Sequence, residues 1–338
     1  MNEKLIILQT PASPSVDRMQ ETKKVTVTAP AHLHTGNFDM TGDLGRLYGT
    51  VGFAVDRLLE IEVSKTNDVK SEDEAAYLFA SRFVDAFDLA GAEVKVKKSI
   101  PKFVGMGYHT TLALSIGSAL AKLYDLKLTT EQIALTMKRG AITSLGVHAF
   151  KVGGFIVEGG FRVDQREKMI PPLIFHQAVP NNWLFVIAIA NEPQEKIVKM
   201  RENEDHILRN LKLMPKETSD MLSRIVLVKI IPSIIENALK SFGEGLTAFN
   251  SELGKFWNEY QCGRTYCHPV VEEAIKIMLH RSTCACQTSW GPTIYGIVDG
   301  KNQAEILTNE LKDYLAKNGG GEVFYTKANN VGAVIGGK

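Results

Sequence analysis

The sequence predicts an α+β fold built from two domains, and three observations support this prediction. The chain has 338 residues, more than one ordinary hydrophobic core accommodates. Strand-like segments dominate the beginning of the chain and helical segments dominate its middle. Its end consists of strands separated by a helix, and this order is typical of α+β proteins. Three prolines interrupt regular structure between residues 165 and 182: Pro171, Pro172 and Pro180. We expect the two domains to join in this segment.

In the first domain, alternating apolar and polar residues predict strands at 25–30 and 92–98, and a segment rich in apolar residues predicts another at 51–63. Apolar residues at helical spacing predict helices over 72–89 and 110–123. The second helix follows directly on a glycine-containing loop, so this loop is expected to lie at the N-terminal end of the helix.

Local signals mark further boundaries in the first domain. Thr129 and Gln132 have the spacing of a capping box, which predicts that a helix begins there, and Gly140 suits its C-terminal end. The pair Gly159-Gly160 stands between two apolar segments, a pattern that predicts a hairpin with a two-residue turn.

The second domain is expected to begin with a buried strand at 183–190, which is an uninterrupted apolar run. Helical segments are predicted across 205–249, and strands at 294–298 and 323–325 with a helix over 303–317 between them. The predicted organisation is a flexible N-terminal arm, a first domain and a second domain, over residues 1–24, 25–175 and 176–338, respectively.

The composition excludes several classes of partner. Net charge is +1, from 39 basic and 38 acidic residues, so the chain has no electrostatic footprint for nucleic acid or for an anionic membrane. No apolar run reaches the roughly 18–20 residues of a membrane-spanning helix. The apolar run at 5–8 is too short for the core of a signal peptide. We therefore expect a cytoplasmic protein whose first residues form a tail or lie on another subunit.

Four cysteines lie in the second half of the chain with C-x4-C and C-x-C spacing, at Cys262, Cys267, Cys284 and Cys286. Neither spacing matches the two intervening residues that are common in zinc sites. Reduced, buried thiols are the interpretation that we favour, as in most cytosolic proteins, and a zinc site is the alternative.

The most informative segment is the glycine-containing loop, in which Gly105 and Gly107 stand just before the predicted helix. A helix that begins after such a loop presents unpaired backbone N–H groups and the positive end of its dipole, which together favour phosphate. The loop is not a Walker motif, because no Gly-Lys-Ser/Thr ends it, and it lacks the third glycine of the Rossmann pattern. The alternative is an ordinary glycine turn before a core helix.

Three segments resemble known motifs in the same order along the chain, at 29–52, 105–111 and 287–296. This arrangement resembles the superfamily of galactose, homoserine, mevalonate and phosphomevalonate kinases (GHMP) and, within it, the β-ribofuranosylaminobenzene 5′-phosphate synthase family. The late segment, Ser-Trp-Gly-Pro-Thr followed by Tyr-Gly, is the most specific, and 149–157 completes the resemblance. The early segment matches the family at His34, Asp39, Gly42, Gly45 and Arg46.

The resemblance implies a fold and an activity. The fold has an N-terminal domain with a left-handed βαβ unit, a ferredoxin-like C-terminal domain and a site between them. The activity is the condensation of phosphoribosyl pyrophosphate with an aromatic carboxylate, either 4-aminobenzoate or 4-hydroxybenzoate, with release of pyrophosphate and carbon dioxide, as in archaeal tetrahydromethanopterin synthesis. The family also implies a homodimer, and the reaction needs no organic cofactor.

This chemistry assigns roles to residues of the resembling segments. Backbone N–H groups of the glycine loop are expected to bind phosphate, and Lys102 to add positive charge. Mg²⁺ would bridge the diphosphate oxygens, with Asp39 and Asp43 as its candidate ligands. Arg46 would orient an anionic group of the substrate, and Asp39 would stabilise the ribosyl cation or hold Mg²⁺. We expect the turn between Asp39 and Arg46 to fold both side chains towards one cleft.

The candidate site residues form two groups. The predicted catalytic residues are His34, Asp39, Arg46 and Ser289. The predicted phosphate- and substrate-binding residues are Lys102, Gly105, Gly107, His109, Thr110, Thr111, Gln287 and Gly291.

Each of these interpretations has a structural alternative. His32 and His34 lie two apart on a predicted strand and point to one face, as a metal pair, an acid/base site or structural polar residues. Asp39 and Asp43 also suit a turn, where aspartate is common. Trp290 is expected to pack against the protein rather than to stack on the substrate.

Two other functions remain open. The first is an ATP-dependent small-molecule kinase of the same superfamily. Many such kinases carry an aspartate after the second helix, and Gly146 takes that position here, so a general base is missing. Members of the homoserine kinase type also manage without this base. The second is a non-catalytic ligand-binding homologue, which the bulky pair Tyr108-His109 in the glycine loop would favour.

Overall fold

The computed structural model of the protein describes residues 24–191, 206–207, 210–261 and 263–337. Almost all of the predicted N-terminal arm lies outside the described residues. Two antiparallel sheets and their helices confirm the predicted α+β class. Among the described residues, no helix is both long and apolar enough to cross a membrane.

The first sheet is built around a long antiparallel hairpin of β1 (Lys24–Asp39) and β2 (Arg46–Lys65). β3 (Ala92–Lys98) and β4 (Phe155–Glu158) both pair with β2, and β6 (Leu173–Gln177) pairs with β4. The three strands predicted for this half are confirmed. The first two are longer than predicted, because their antiparallel pairing continues towards the turn between them, with register shifts after Pro30 and after His34.

The pair Gly159-Gly160 does not form the predicted two-residue hairpin. β5 (Phe161–Arg162), which follows it, pairs with β2 rather than with β4. Gly160 has a φ of +66°, and a side chain there would meet the carbonyl oxygen of Leu47 on β2 at 2.2 Å. The glycines bend the chain so that β4 and β5 both pair with β2. A local turn signal cannot reveal that a third strand is involved.

Four helices belong to the first domain. The three predicted helices are confirmed as α1 (Glu74–Phe87), α2 (Tyr108–Leu123) and α3 (Thr130–Thr136). The fourth helix, α4 (Leu145–Val152), is not among the predicted ones. The capping box is present at the start of α3, where the Thr129 side chain accepts the Gln132 N–H. Gly140 does not end this helix. Lys138 takes a left-handed φ of +55° and the Arg139 N–H donates to Ala134, which ends the helix earlier.

The second sheet has the strand order β10-β7-β9-β8, and all of its pairs are antiparallel. Its strands are β7 (Trp183–Ala190), β8 (Cys286–Gln287), β9 (Thr293–Asp299) and β10 (Gly321–Lys327). The helices described in this half are α5 (Lys216–Ile225), α6 (Ile231–Ile235), α7 (Leu239–Trp257), α8 (Pro269–Leu279) and α9 (Gly300–Lys317). A π-helical turn over Val226–Ile230 joins α5 to α6.

One aromatic cluster connects the two sheets. The buried ring of Phe53 on β2 has four aromatic rings with centroids within 6.0 Å: Phe155, Phe185, Phe242 and Tyr295. These rings come from both sheets and from α7, and offset or edge-to-face contacts of this kind add stability beyond apolar burial. Because the two domains share this core, packing sets their relative position.

The predicted boundary at residue 175 falls inside β6, which still belongs to the first sheet and ends at Gln177. The chain also returns to the first domain at its end. There β11 (Val334–Ile335) pairs with β1 as an outer strand of the first sheet. A strand of two residues carries too little pattern to be predicted, so the range 176–338 includes a segment that packs with the other domain.

Candidate active site

The predicted motifs meet at a cleft of about 770 Å³ between the two domains. Its lining comes from β1, from the loop before α2, from the loop between α3 and α4, from the end of α7 and from the loop after β8. The volume lies within the range of small-molecule sites. The three segments that are far apart in sequence, around residues 34, 107 and 289, therefore form one site.

The glycine loop and the first turn of α2 line this cleft from Gly105 to Thr110. Gly107 is the N-cap with a left-handed φ of +78°, and no side chain caps the helix. The first N–H groups of a helix have no partner within the helix, so they are available to an anion in the cleft. Thr111 does not line the cleft: it is buried, and its hydroxyl donates to the Pro30 carbonyl at 3.3 Å.

Tyr108 occupies the loop without filling the anion site. Its hydroxyl donates to the Asp73 carboxylate at 2.9 Å, and the same oxygen of Asp73 accepts from Lys102 at 2.6 Å. Asp73 also caps α1 through the Ala76 N–H. Burial, followed by the neighbouring carboxylate, raises the pKa of Tyr108. The bulky residue thus ties the loop to α1, and Lys102, predicted to bind phosphate, is paired with Asp73 and does not line the cleft.

The loop after β8 joins β1 to the glycine loop through Thr288. Its hydroxyl accepts the His34 N–H at 2.8 Å and donates to the Gly105 carbonyl at 2.8 Å. The Ser289 N–H then donates to the His34 carbonyl at 3.0 Å. Ser289 lines the cleft with an exposed side chain and a left-handed φ of +52°. These bonds place His34, Gly105 and Ser289 around one point.

Amide side chains support this arrangement from behind. The side-chain amide of Gln287 donates to the side-chain oxygen of Gln261 at 2.8 Å. Its own side-chain oxygen accepts the Cys267 N–H at 2.8 Å. Asn250 on α7 donates to the carbonyls of Thr35 and Gln287 and accepts the Gln287 N–H. Gln287 was predicted as a substrate contact and lines the cleft. Asn250 was not predicted, because nothing in the sequence links α7 to the early motif.

Gly291 has a structural reason to be glycine. It does not line the cleft, and its φ is +72°. A side chain there would meet the Cys267 sulfur at 2.6 Å and the Gln287 side chain at 3.2 Å. Its predicted role in substrate binding therefore has no direct support in the cleft lining.

His32 and His34 both line the cleft, as the predicted strand alternation requires. Burial lowers the pKa of each imidazole to about 4, and for His32 the neighbouring His34 adds to the effect. Both rings are therefore neutral at pH 7. The His32 Nδ1 atom is buried and has no hydrogen-bond partner among the described residues.

The ring of His32 separates two helix starts. A side chain on Gly107 would lie 1.9 Å from the His32 Cε1 atom, and one on Gly146 in the first turn of α4 would lie 2.7 Å from the same atom. The resemblance assigns Gly146 to the position of the kinase aspartate, and a side chain there would require the His32 ring to shift.

Two basic residues that the sequence did not single out also line the cleft. Lys138 and Arg139 follow α3, where the left-handed Lys138 ends the helix. Lys138 is exposed and makes no ion pair with the residues that the structure describes. The Arg139 guanidinium lies 5.4 Å from the centroid of the Phe79 ring. Only tertiary packing brings this helix end to the glycine loop.

Asp39 and Arg46 do not line the cleft, contrary to the prediction that the turn folds both towards it. Asp39 accepts the Thr41 N–H at 2.9 Å and the Thr41 hydroxyl at 2.8 Å, which closes the turn locally. Arg46 donates to the Gly160 carbonyl at 2.8 Å. The catalytic roles of Asp39 and Arg46 stay predictions that this geometry does not support.

Asp43 lies at the same hairpin tip, where it is exposed and contacts Thr41 and Lys216. Asp39 and Asp43 are therefore not placed to bind a Mg²⁺ ion in the cleft. Among the described residues, the carboxylate that lines the cleft is that of Glu167. Among the described residues, no group of three His, Cys, Asp or Glu side chains is placed to hold a metal ion. Cys267, Cys284 and Cys286 form no disulfide, and Cys262 lies outside the described residues.

The fold and the cleft define the class of protein. Residues 73–154 match the family model described as GHMP kinases N terminal domain, and residues 230–317 match GHMP kinases C terminal. The homoserine kinase structure from Cytophaga hutchinsonii superposes with a TM-score of 0.65 at 16% identity, covering 98% of this chain and 100% of that one. Galactokinase from Lactococcus lactis superposes with a TM-score of 0.63 at 11% identity, covering 93% and 95%. The chain has the GHMP kinase fold.

Sequence relatives narrow this class to one family. A β-ribofuranosylphenol 5′-phosphate synthase from Archaeoglobus fulgidus is 31% identical over 322 residues, which cover 90% of this chain and 97% of the relative. A relative of the same name from Methanocaldococcus jannaschii is 27% identical over 341 residues, covering 91% and 99%. The chain belongs to the β-ribofuranosylphenol 5′-phosphate synthase family, and the predicted resemblance is confirmed.

Proposed function

We propose that this protein condenses phosphoribosyl pyrophosphate with 4-hydroxybenzoate or 4-aminobenzoate to form an aryl C-riboside 5′-phosphate. The bond between the anomeric carbon and the pyrophosphate oxygen breaks, and pyrophosphate leaves with the electron pair. The ring carbon that bears the carboxylate bonds to the anomeric carbon. Carbon dioxide then leaves, and its bonding electrons restore the aromatic ring. The name of the relatives favours the phenol, and therefore 4-hydroxybenzoate, as the acceptor.

The observation that carries this proposal is the meeting of an uncapped helix start with two basic side chains in one cleft. The N-terminus of α2 offers backbone N–H groups, and Lys138 and Arg139 add positive charge from the end of α3. The substrate carries a 5′-phosphate and a diphosphate, so it needs positive groups at more than one point. Donors held in place before the reaction stabilise the charge that develops on leaving pyrophosphate.

The histidines contribute as neutral groups. With a pKa of about 4, His34 can accept a hydrogen bond from an acceptor hydroxyl or amine, and electron density pushed from that group reaches the ring carbon opposite it. The substrate would also provide a partner for the buried Nδ1 of His32. We include magnesium as part of the diphosphate substrate, because the described carboxylates do not surround a metal position in the cleft.

A kinase of the same fold is the second candidate, and the packing of Gly146 argues against it. The position is closed by the His32 ring and by the Thr110 methyl group, to which a side chain would come within 2.8 Å. An aspartate general base there would require these side chains to shift. The relatives covering about nine-tenths of the chain are synthases by name, whereas the kinases share the fold at 16% identity or less.

The decisive experiment supplies carboxyl-labelled acceptor. The protein is incubated with Mg²⁺, phosphoribosyl pyrophosphate and carboxyl-labelled 4-hydroxybenzoate or 4-aminobenzoate, and released label is measured together with pyrophosphate. We expect both products in equal amounts. Release of label without pyrophosphate, or neither product while ATP is consumed with a hydroxylated metabolite, would reject the proposal. The predicted homodimer and cytoplasmic location stay predictions, for which sedimentation and cell fractionation are the tests.

A further inference from the structure

We infer that the aromatic ring of the acceptor binds at a corner of the cleft formed by Trp257 and Trp290, beside the Ser289 hydroxyl. This inference rests on the proposed function, because it names the place of one substrate within the same cleft. We call Trp257 and Trp290 the tryptophan corner. It belongs to the second domain, whereas the basic residues Lys138 and Arg139 belong to the first.

The tryptophan corner has the geometry of an aromatic subsite. Trp257 and Trp290 both line the cleft and are half-buried, with ring centroids 4.9 Å apart and planes at 68°. The Trp257 ring also contacts the rings of Phe256 and Tyr260, with centroid distances of 5.2 Å and 5.7 Å. The two rings thus form a fixed angle rather than a flexible wall. A planar ligand that enters this angle contacts one ring by its face and the other by its edge, the arrangements that aromatic pairs prefer.

The two tryptophans come from segments that packing alone brings together. Trp257 is the last residue of α7, and Trp290 lies in the loop after β8. The same loop holds His34 through Thr288 and Ser289. A ring bound at the tryptophan corner therefore lies next to β1 and the glycine loop, where the ribosyl phosphate is proposed to bind.

Ser289 supplies a polar group at the edge of this subsite. Its N–H is fixed by the His34 carbonyl, and its side chain is exposed to the cleft. The hydroxyl makes no hydrogen bond within the part of the chain that the structure describes. It is positioned to donate to a substituent of the ring, and a benzoate carries such acceptors. The ligand class is thus a planar aromatic acid rather than an aliphatic one.

The test measures binding of the acceptor alone to the full-length protein by isothermal titration calorimetry. The probes are 4-hydroxybenzoate and 4-aminobenzoate, with cyclohexanecarboxylate as a ligand of equal charge without an aromatic ring. We expect the wild type to bind both benzoates more tightly than cyclohexanecarboxylate. Trp257→Leu and Trp290→Leu should each raise the Kd for 4-hydroxybenzoate by about tenfold, the value of one good aromatic contact. Tyr77→Leu, an exposed aromatic on α1 away from the cleft, should leave it unchanged.

Two further measurements keep the result unambiguous. Trp257→Phe and Trp290→Phe retain an aromatic face, so they should recover most of the affinity, and thermal unfolding checks that every variant folds. Unchanged Kd values in both leucine variants would overturn the inference, as would an equal affinity of the wild type for cyclohexanecarboxylate. Loss of affinity in Phe103→Leu, a variant of another aromatic residue in the cleft lining, with the tryptophan variants normal, would also overturn it.

Failure of this subsite and failure of the proposed function give different results. If the wild type releases no carbon dioxide but benzoate binding still depends on the tryptophan corner, the subsite stands and the reaction is wrong. If the leucine variants react with an unchanged KM for the benzoate, the reaction stands and the subsite is wrong. If the wild type binds neither benzoate and releases no carbon dioxide, both are wrong.

Discussion

The Thr288 hydroxyl lies 2.8 Å from the Gly105 carbonyl oxygen and so connects the two domains across the cleft. The same hydroxyl accepts the His34 N–H, so one side chain holds the late loop, the glycine loop and β1 together. A buried hydroxyl that serves two backbone groups is difficult to replace, because both groups lose their partner at once.

We expect Thr288→Val to lower the free energy of unfolding by about 2 kcal/mol and to raise the KM for phosphoribosyl pyrophosphate. Valine keeps the shape but leaves the His34 N–H and the Gly105 carbonyl without this partner. Thr288→Ser retains the hydroxyl and should stay near the wild type in both measurements. Urea unfolding and steady-state kinetics provide the comparison, and a valine variant of wild-type stability would show that the bridge contributes little.

Lys138→Ala should weaken phosphate binding without altering the fold. Lys138 is exposed, lines the cleft and has no acidic partner among the described residues, so its loss removes charge that only the substrate uses. We expect the KM for phosphoribosyl pyrophosphate to rise by about tenfold, since a charge-assisted hydrogen bond contributes roughly 1.5–3 kcal/mol. Lys127→Ala, at an exposed lysine that pairs with Asp125, is the matched control. Equal kinetics in the two variants would remove Lys138 from the site.

Glu158 makes stability depend on pH. This carboxyl is fully buried behind Gly160, and burial raises its pKa from 4.5 to about 7. Between these values the folded state holds a proton that the unfolded state has lost, so stability falls as pH rises from about 4.5 to 7. The difference amounts to about 3 kcal/mol, on the order of 1.4 kcal/mol per unit.

Glu158→Gln should remove most of this dependence, because glutamine is neutral and can still accept the Gly160 N–H. Urea midpoints of wild type and variant at pH 5 and pH 8 test the expectation. The urea midpoint of the variant should be higher than that of the wild type at pH 8, and the two midpoints should differ little at pH 5. Parallel pH profiles would mean that Glu158 does not titrate between these values.

The two cleft histidines have the opposite effect. Burial lowers the pKa of His32 from 6.5 to about 4. Between pH 4 and pH 6.5, the unfolded state therefore binds a proton that the folded state does not bind. Stability is therefore complete above pH 6.5 and is lost as pH falls towards 4. Between pH 7 and pH 4.5, the free energy of unfolding should therefore fall less in His32→Gln than in the wild type. Histidine NMR titration that returns a pKa near 6.5 for His32 would contradict this.

Arg46→Ala tests whether this residue is structural or acts on the substrate. Its guanidinium donates to the Gly160 carbonyl and does not line the cleft. We expect a loss of about 1–2 kcal/mol in unfolding free energy with little change in KM for the benzoate. Arg46→Lys serves as the conservative comparison. A raised KM at unchanged stability would instead support the catalytic role predicted from the motif.

Much of the fold follows from short-range patterns in the sequence. The capping box at Thr129, the start of α2 after Gly107 and the strand that carries His32 and His34 depend on residues a few positions apart. Their physical causes are hydrogen bonds within one turn, the left-handed preference of glycine and the alternation of side chains along a strand. Two of these features, the strand with the two histidines and the start of α2, lie in the segments 29–52 and 105–111 that contributed to the resemblance to the family.

What the sequence could not determine is which distant groups occupy the cleft. Lys138 enters the cleft from the end of α3, and Asn250 and Trp257 enter it from α7. Asp39 and Arg46 instead form hydrogen bonds with Thr41 and Gly160 and do not line the cleft. The pairing of β5 with β2 was likewise decided by a contact across the fold. A side chain's partner depends on where packing places other elements. Shared aromatic burial around Phe53 sets that placement, so only the tertiary structure decided the composition of the site.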